Sequence, residues 1–155
     1  MVKIIGMLLM LFLAGCAPST MLVGPRGSVQ RCSAYGWGWG GIAMAQLIHS
    51  SCVSDLKRIG YWEMPSVWLG IYARWGEEYP FRLTQVRDPA ESAGIKVGDL
   101  LISIDGMAIR DAVDLAKVLS SKNPGDSVSV LIEREDSDPK FGRRRLTIMV
   151  NLIAR

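Results

Sequence analysis

Apolar positions in the second half of the chain switch between a two-residue and a three-to-four-residue period, which predicts mixed strand and helix. Residues 83–86 read as a short strand closed by Asp88-Pro89. Residues 90–95 read as one helical turn stopped at Gly94, and Leu100-Leu101-Ile102-Ser103-Ile104 reads as a buried strand. Asp105-Gly106 is a hairpin dipeptide, because both central positions of the tight turn need positive φ. Ala112, Val113, Leu115, Ala116, Val118 and Leu119 trace an amphipathic helix entered at Arg110 or Asp111 and ended by Asn123-Pro124-Gly125-Asp126. Val128, Val130 and Ile132 alternate inward over residues 127–134, and Leu146, Ile148 and Val150 alternate in a last strand. Residues 135–145 connect the two.

Upstream the texture differs. Residues 17–20 and Gly24-Pro25-Arg26-Gly27 read as loops, and Tyr35-Gly36-Trp37-Gly38-Trp39-Gly40-Gly41 alternates glycine with aromatics, which resists a regular helix. Ile42, Ala45, Ile48 or His49, Cys52, Leu56 and Ile59 then recur at helical steps over residues 42–59. Lys57 and Arg58 suit the last turn and Gly60 the C-cap. Trp37 and Trp39 are expected to pack over a disulfide in a segment too small for a core of its own; stacking of a nucleobase or sugar is the alternative. His49 sits beside Ser50 and Ser51, but neighbours in sequence do not face each other on a helix, so a solvent-edge histidine is expected.

Residues 4–15 carry no charge and follow a single lysine, the layout of an export signal, and are too short to span a membrane. Leu13-Ala14-Gly15-Cys16 resembles a bacterial lipobox, which implies cleavage after residue 15 and acylation of Cys16. Ala17, not Asp, follows, which in such lipoproteins implies the outer membrane. With Cys16 assigned to lipid, Cys32 and Cys52 remain, and export makes a disulfide between them the expected state. Two cysteines with His49 do not complete a four-ligand zinc site, and no Cys-x-x-Cys redox pair occurs.

A net charge of +3 over 155 residues, without a basic block, argues against a nucleic-acid binder. One histidine limits acid–base chemistry and metal ligation. The carboxylate pairs Glu77-Glu78 and Glu135-Asp136 fall in polar loops and read as solvated charge. There is no Gly-x-Ser-x-Gly run. No catalytic residue, metal or cofactor is expected.

The run from Asp88 to Gly106, with Pro-Ala-Glu-Ser-Ala-Gly, Gly-Asp and Asp-Gly at these spacings, resembles a PDZ domain of the kind carried by periplasmic serine proteases and secretion components. Residues 31–38 and 52–61 likewise look like the cysteine-containing head of small bacterial lipoproteins. The expected fold is therefore α+β: a PDZ-like, five- to six-stranded, partly open antiparallel barrel or sandwich with two helices. A small disulfide-stapled helical segment precedes it. The chain divides into a signal (1–15), a linker and Cys-containing segment (16–65) and a PDZ-like domain (66–153).

PDZ domains bind peptide ends by adding a strand to an exposed sheet edge. The resemblance places the terminal-carboxylate loop at Trp68-Leu69-Gly70-Ile71, where Gly70 would let backbone amides approach an anion. It places the facing helix wall at Ala112, Ala116 and Leu119. Ala112 stands where many animal relatives carry a hydroxyl-selecting histidine, so an apolar ligand end is implied. Core packing explains Leu69, Ile71, Ala116 and Leu119 equally well. The implied function is a non-enzymatic, lipid-anchored adaptor or scaffold of the cell envelope, facing the periplasm, that binds C-terminal or extended segments of peptides or proteins. A structural lipoprotein with a non-binding or self-occupied groove is the alternative, and an accessory regulator of a protease or secretion system is a third reading.

Overall fold

The computed structural model describes residues 18–75, 79–136 and 142–155. Its N-terminal unit begins with a hairpin. Strand β1 (Ser19–Val23) pairs antiparallel with β2 (Val29–Ser33), from Ser19 opposite Ser33 to Val23 opposite Val29. The short β3 (Trp62–Glu63) pairs with the other edge of β1, so β1 is central in a three-stranded sheet. The sequence predicts a loop over residues 17–20, but Ser19 and Thr20 belong to β1. Serine and threonine open this strand, and only Leu22 and Val23 are buried, too short a stretch to show alternation. Gly24-Pro25-Arg26-Gly27 does make the turn, closed by Gly24 N–H to Ser28 O at 2.8 Å.

Helix α1 (Gly38–Arg58) starts four residues before the expected 42, so the glycine–tryptophan run does not resist helix at its C-terminal half. The reason is packing: a Cβ on Gly36 would lie 1.9 Å from the Gly41 carbonyl oxygen, so only glycine lets the incoming chain touch the first turn. The Cys32–Cys52 disulfide is present and ties β2 to α1 across a Cα separation of 5.9 Å. The helix ends as expected, with Gly60 N–H donating to Lys57 O and φ of +92° at Gly60.

The second unit contains β4 (Val67–Trp68), β5 (Ile71–Ala73), β6 (Phe81–Val86), β7 (Leu100–Ile104), β8 (Met107–Ala108), α2 (Ala112–Ser120), β9 (Ser127–Glu135), β10 (Arg143–Asn151) and β11 (Ile153–Ala154). The sheet runs β10-β9-β7-β6-β5, all antiparallel, with β8 paired to β7. Strand β11 returns to pair with β4. The sheet is open, and β5 is one of its edges. This is the expected α+β architecture. Val128, Val130 and Ile132 are fully buried and meet Leu101, Ile104, Leu83 and Val150 in a core drawn wholly from residues 67–152.

The signature run folds as its residues dictate. Residues 88–94 form the expected turn, with Glu91 N–H to Arg87 O at 3.1 Å and Ala93 N–H to Pro89 O at 3.2 Å. Asp105 and Gly106 both hold positive φ, at 48° and 78°. Asp99 is 2% exposed, and both its oxygens accept from Arg134, each at 2.7 Å. Arg134 also donates to Gly94 O, and the Lys96 amide donates to Asp99. One buried carboxylate thus fastens the turn before β7 to β9. Asp111 caps α2 by accepting from the Asp114 amide at 2.7 Å.

Candidate functional site

Between the edge strand β5 and helix α2 lies a cavity of about 220 Å³ with a largely apolar lining. All seven residues proposed for the groove line it: Trp68, Leu69, Gly70 and Ile71 on one side, Ala112, Ala116 and Leu119 on the other. Helix spacing explains the second set, since 112, 116 and 119 fall on one face with Leu115 beside them. Leu69, Ile71 and Leu119 also belong to the main core, so they wall the cavity and hold the fold at once.

Gly70 has a reason for being glycine in addition to the one the sequence suggests. Its φ is +86°, and an added Cβ would meet the Arg87 carbonyl oxygen at 2.2 Å. Its own carbonyl accepts from the Arg87 amide at 2.7 Å. The missing side chain therefore serves the seating of this loop against residues 87–88.

Sequence reasoning missed several lining residues. Arg155 lies beside Trp68, its guanidinium 5.5 Å from the ring centroid and its amide bonded to Ser66 O. Nothing periodic points to it; the pairing of β11 with β4 brings it there. Tyr72 stacks edge-on with Trp68 at 5.2 Å, beneath the Arg87 guanidinium.

At the other end the N-terminal unit enters the groove. Val23 packs against Ala112 and Ala116, with Met64 and Trp75 alongside, as a small second apolar cluster. The Ala112 amide donates to Pro25 O at 3.3 Å, and Gly27 fits against the Trp75 ring, where a Cβ would come within 2.4 Å. Trp62 adds an Nε1–H bond to Ser120 Oγ at 3.1 Å and carries Lys117 over its ring. The hairpin tip therefore packs on the start of α2 and, through Val23, Gly27 and Val29, lines the same cavity as residues 68–71. This contact was not legible in sequence, because Val23 and Met64 stand in segments with no pattern of their own.

Other expectations resolve plainly. Trp37 and Trp39 do not cover the disulfide: they are 73% and 87% exposed, because α1 starts early and carries them outward. His49 is half-buried rather than at a solvent edge, and its Nε2 has no hydrogen-bond partner. Glu135 lies near Arg82 and Arg143, and Asp136 near Arg144, in exposed ion pairs. Cys16 and Glu77-Glu78 lie outside the described residues. Among the described residues no group of three or more His, Cys, Asp and Glu is placed to hold a metal ion. No described helix is long and apolar enough to cross a membrane.

The model of the PDZ domain family matches residues 82–142, so a PDZ domain is present in this stretch. The protein described as "Probable periplasmic serine endoprotease DegP-like" from Bartonella henselae is 44% identical over 45 residues, 29% of this chain and 9% of the relative. "Serine protease Do-like HtrA" from Lactobacillus helveticus is 39% identical over 49 residues, 32% of this chain and 12% of the relative. The matches thus span about a tenth of these relatives' length. Among solved structures, the HtrA-type protease AlgW with decapeptide aligns at a TM-score of 0.47 and 18% identity, covering 78% of this chain and 37% of that one. The serine endoprotease from Yersinia pestis aligns at 0.48 and 12%, covering 92% and 63%.

Proposed function

We propose that the chain is a non-enzymatic adaptor or scaffold of the cell envelope, lipid-anchored through Cys16 and facing the periplasm, whose groove binds apolar C-termini. One observation carries this reading: β5 is a sheet edge paired with β6 on one side only, and its other side faces an apolar cavity. A peptide strand added there gains backbone hydrogen bonds, and its last side chain enters the cavity between Ile71 and Leu119. Arg155 beside the loop supplies positive charge where the terminal carboxylate would lie. The family match and the periplasmic relative support the class of ligand and the compartment.

The lane is short. Strand β5 offers only Ile71–Ala73, and beyond it Val23 of the hairpin tip packs against Ala112 and Ala116 of the facing helix. The ligand is therefore read by about its last three residues, with an affinity of micromolar order, about −8 kcal/mol. The packing of Val23 on Ala112 and Ala116 favours a second reading, in which the hairpin holds the groove closed and the chain is structural.

The test is titration of the mature full chain with apolar-ended peptides, each as free acid and as C-terminal amide. Arg155→Glu should weaken free acids about two- to fivefold, the effect of one exposed charge contact, and leave amides unchanged. Absence of binding by every apolar-ended peptide would exclude the adaptor and leave the closed-groove reading.

A further inference from the structure

We infer that the aromatic end of the N-terminal unit, Tyr35, Trp37, Trp39 and the first half of α1, lies in the interfacial layer of a lipid bilayer. The inference rests on the anchor reading for what holds the chain at the membrane, and it assigns a second, protein-made contact beside that anchor.

Three observations converge. The first is exposure. Tyr35 is 79% exposed, Trp37 73%, Trp39 87%, Met44 57%, Leu47 65% and Ile48 55%, while Ala45 is the one fully buried residue of α1. A soluble helix normally turns a charged or polar face to water. An apolar surface of this extent marks an interaction site. The second is charge. No Asp, Glu, Lys or Arg occurs from Cys32 to Ser54, and charge returns with Asp55, Lys57 and Arg58 in the last turn. The helix is thus graded along its axis, apolar at one end and charged at the other.

The third observation is where the chain comes in. Ser19 pairs with Ser33, and the Ala34 amide donates to Pro18 O at 3.3 Å. The chain therefore enters beside Ala34, one residue before Tyr35. Cys16 stands two residues upstream of Pro18, at most about 7 Å away along an extended chain. From Ile4 to Pro25 the sequence carries no charge. The apolar end of α1 and the point of anchoring coincide.

Tryptophan and tyrosine favour the membrane–water interface, where a ring is buried and its polar edge stays wet. No described helix is apolar and long enough to span, so α1 enters only the boundary, to a depth of about 5–10 Å. A second copy of the chain would cover the same face without requiring it to adjoin the chain's entry. The bilayer accounts for both.

The experiment uses the full chain purified from the membrane fraction and its intact mass. The protein is reconstituted into vesicles of phosphatidylethanolamine with a minority of phosphatidylglycerol, with or without brominated acyl chains. Brominated lipid should quench tryptophan emission, and Trp37→Phe with Trp39→Phe should abolish most of that quenching, since Trp62, Trp68 and Trp75 lie elsewhere. An acylated chain whose quenching is absent, or unchanged in the double variant, overturns the inference and leaves the anchor reading intact. A chain without acyl mass that still binds vesicles, and releases them on Trp39→Glu with Leu47→Glu, supports the inference and removes the anchor. A photo-crosslinker at Met44 that joins two copies in the vesicle, with tryptophans unquenched, assigns the face to a dimer and overturns it.

Discussion

Substituting Val23→Ala isolates what the hairpin tip does to the groove. Val23 is 9% exposed and touches the start of α2 through Ala112 and Ala116. Truncation removes two buried carbons, worth about 1.6 kcal/mol at ~0.8 kcal/mol each, and weakens the seat of the hairpin by that amount. A peptide of about three residues fits beside β5 without disturbing the tip. A peptide of roughly twice that length needs the tip to lift, so its binding is reduced by the closed fraction. Val23→Ala should then raise affinity for the longer peptide by up to about tenfold, the equivalent of ~1.4 kcal/mol, and leave the shorter one nearly unchanged. Calorimetric titration of both lengths, sharing one apolar terminal residue, reads the difference directly. Equal shifts for both peptides, or none for either, would refute the idea that the hairpin and a long ligand compete.

Three further outcomes follow from the packing. Asp99→Asn leaves Arg134 without its carboxylate, and urea unfolding should report a loss of about 3 kcal/mol, the lower range for breaking a buried pair; an unchanged midpoint would mean that the pair only replaces solvation. The hydrogen bond from Lys122, at 2.6 Å, and the Ser129 amide hold the Asp105 carboxyl below its ordinary value against a smaller opposing effect of burial. A depressed folded-state value means stability that is complete above the unfolded value near 4 and lost as pH falls through the folded one. Lys122→Met should therefore flatten the acid limb of a urea-midpoint profile, and an identical limb would count against the assignment. Cys52→Ser opens a loop of 20 residues and should cost the N-terminal unit about 3 kcal/mol on the chain-entropy account. Amide exchange over residues 19–63 should rise while β7 and β9 stay protected; equal loss in both units would show that they unfold together.

The second unit was legible because its signals are local. Val128, Val130 and Ile132 alternate, Asp105-Gly106 demands positive φ, and Asp111 caps a helix whose apolar face repeats at 112, 116 and 119. Each element announces itself within a few residues. The groove walls followed from the resemblance of Trp68-Leu69-Gly70-Ile71 to a carboxylate loop, though Gly70 proved to be shaped by the Arg87 backbone. What stayed hidden depends on contacts between distant segments. Val23 lies on Ala112 and Ala116 and Arg155 on Trp68, contacts that exist only once two units dock or a terminal strand returns. The outward Trp37 and Trp39 were misread for a related reason: burying aromatics is a sound default, and only the early start of α1 overrides it.

Strand β1 is flanked on both sides, by β2 and β3, which makes it a braced rod rather than a tether. Its first residue follows Pro18 at the aromatic end, and its last, Val23, is the residue seated in the groove. Four steps of about 3.3 Å each fix the separation of these two points near 13 Å. If the chain is anchored through Cys16 as proposed, a stiff spacer of that length would set how far the groove stands from the anchored end. On that proposal it would confine encounters to chain ends that emerge within the same thin layer, and would raise their effective concentration without adding a contact to the groove.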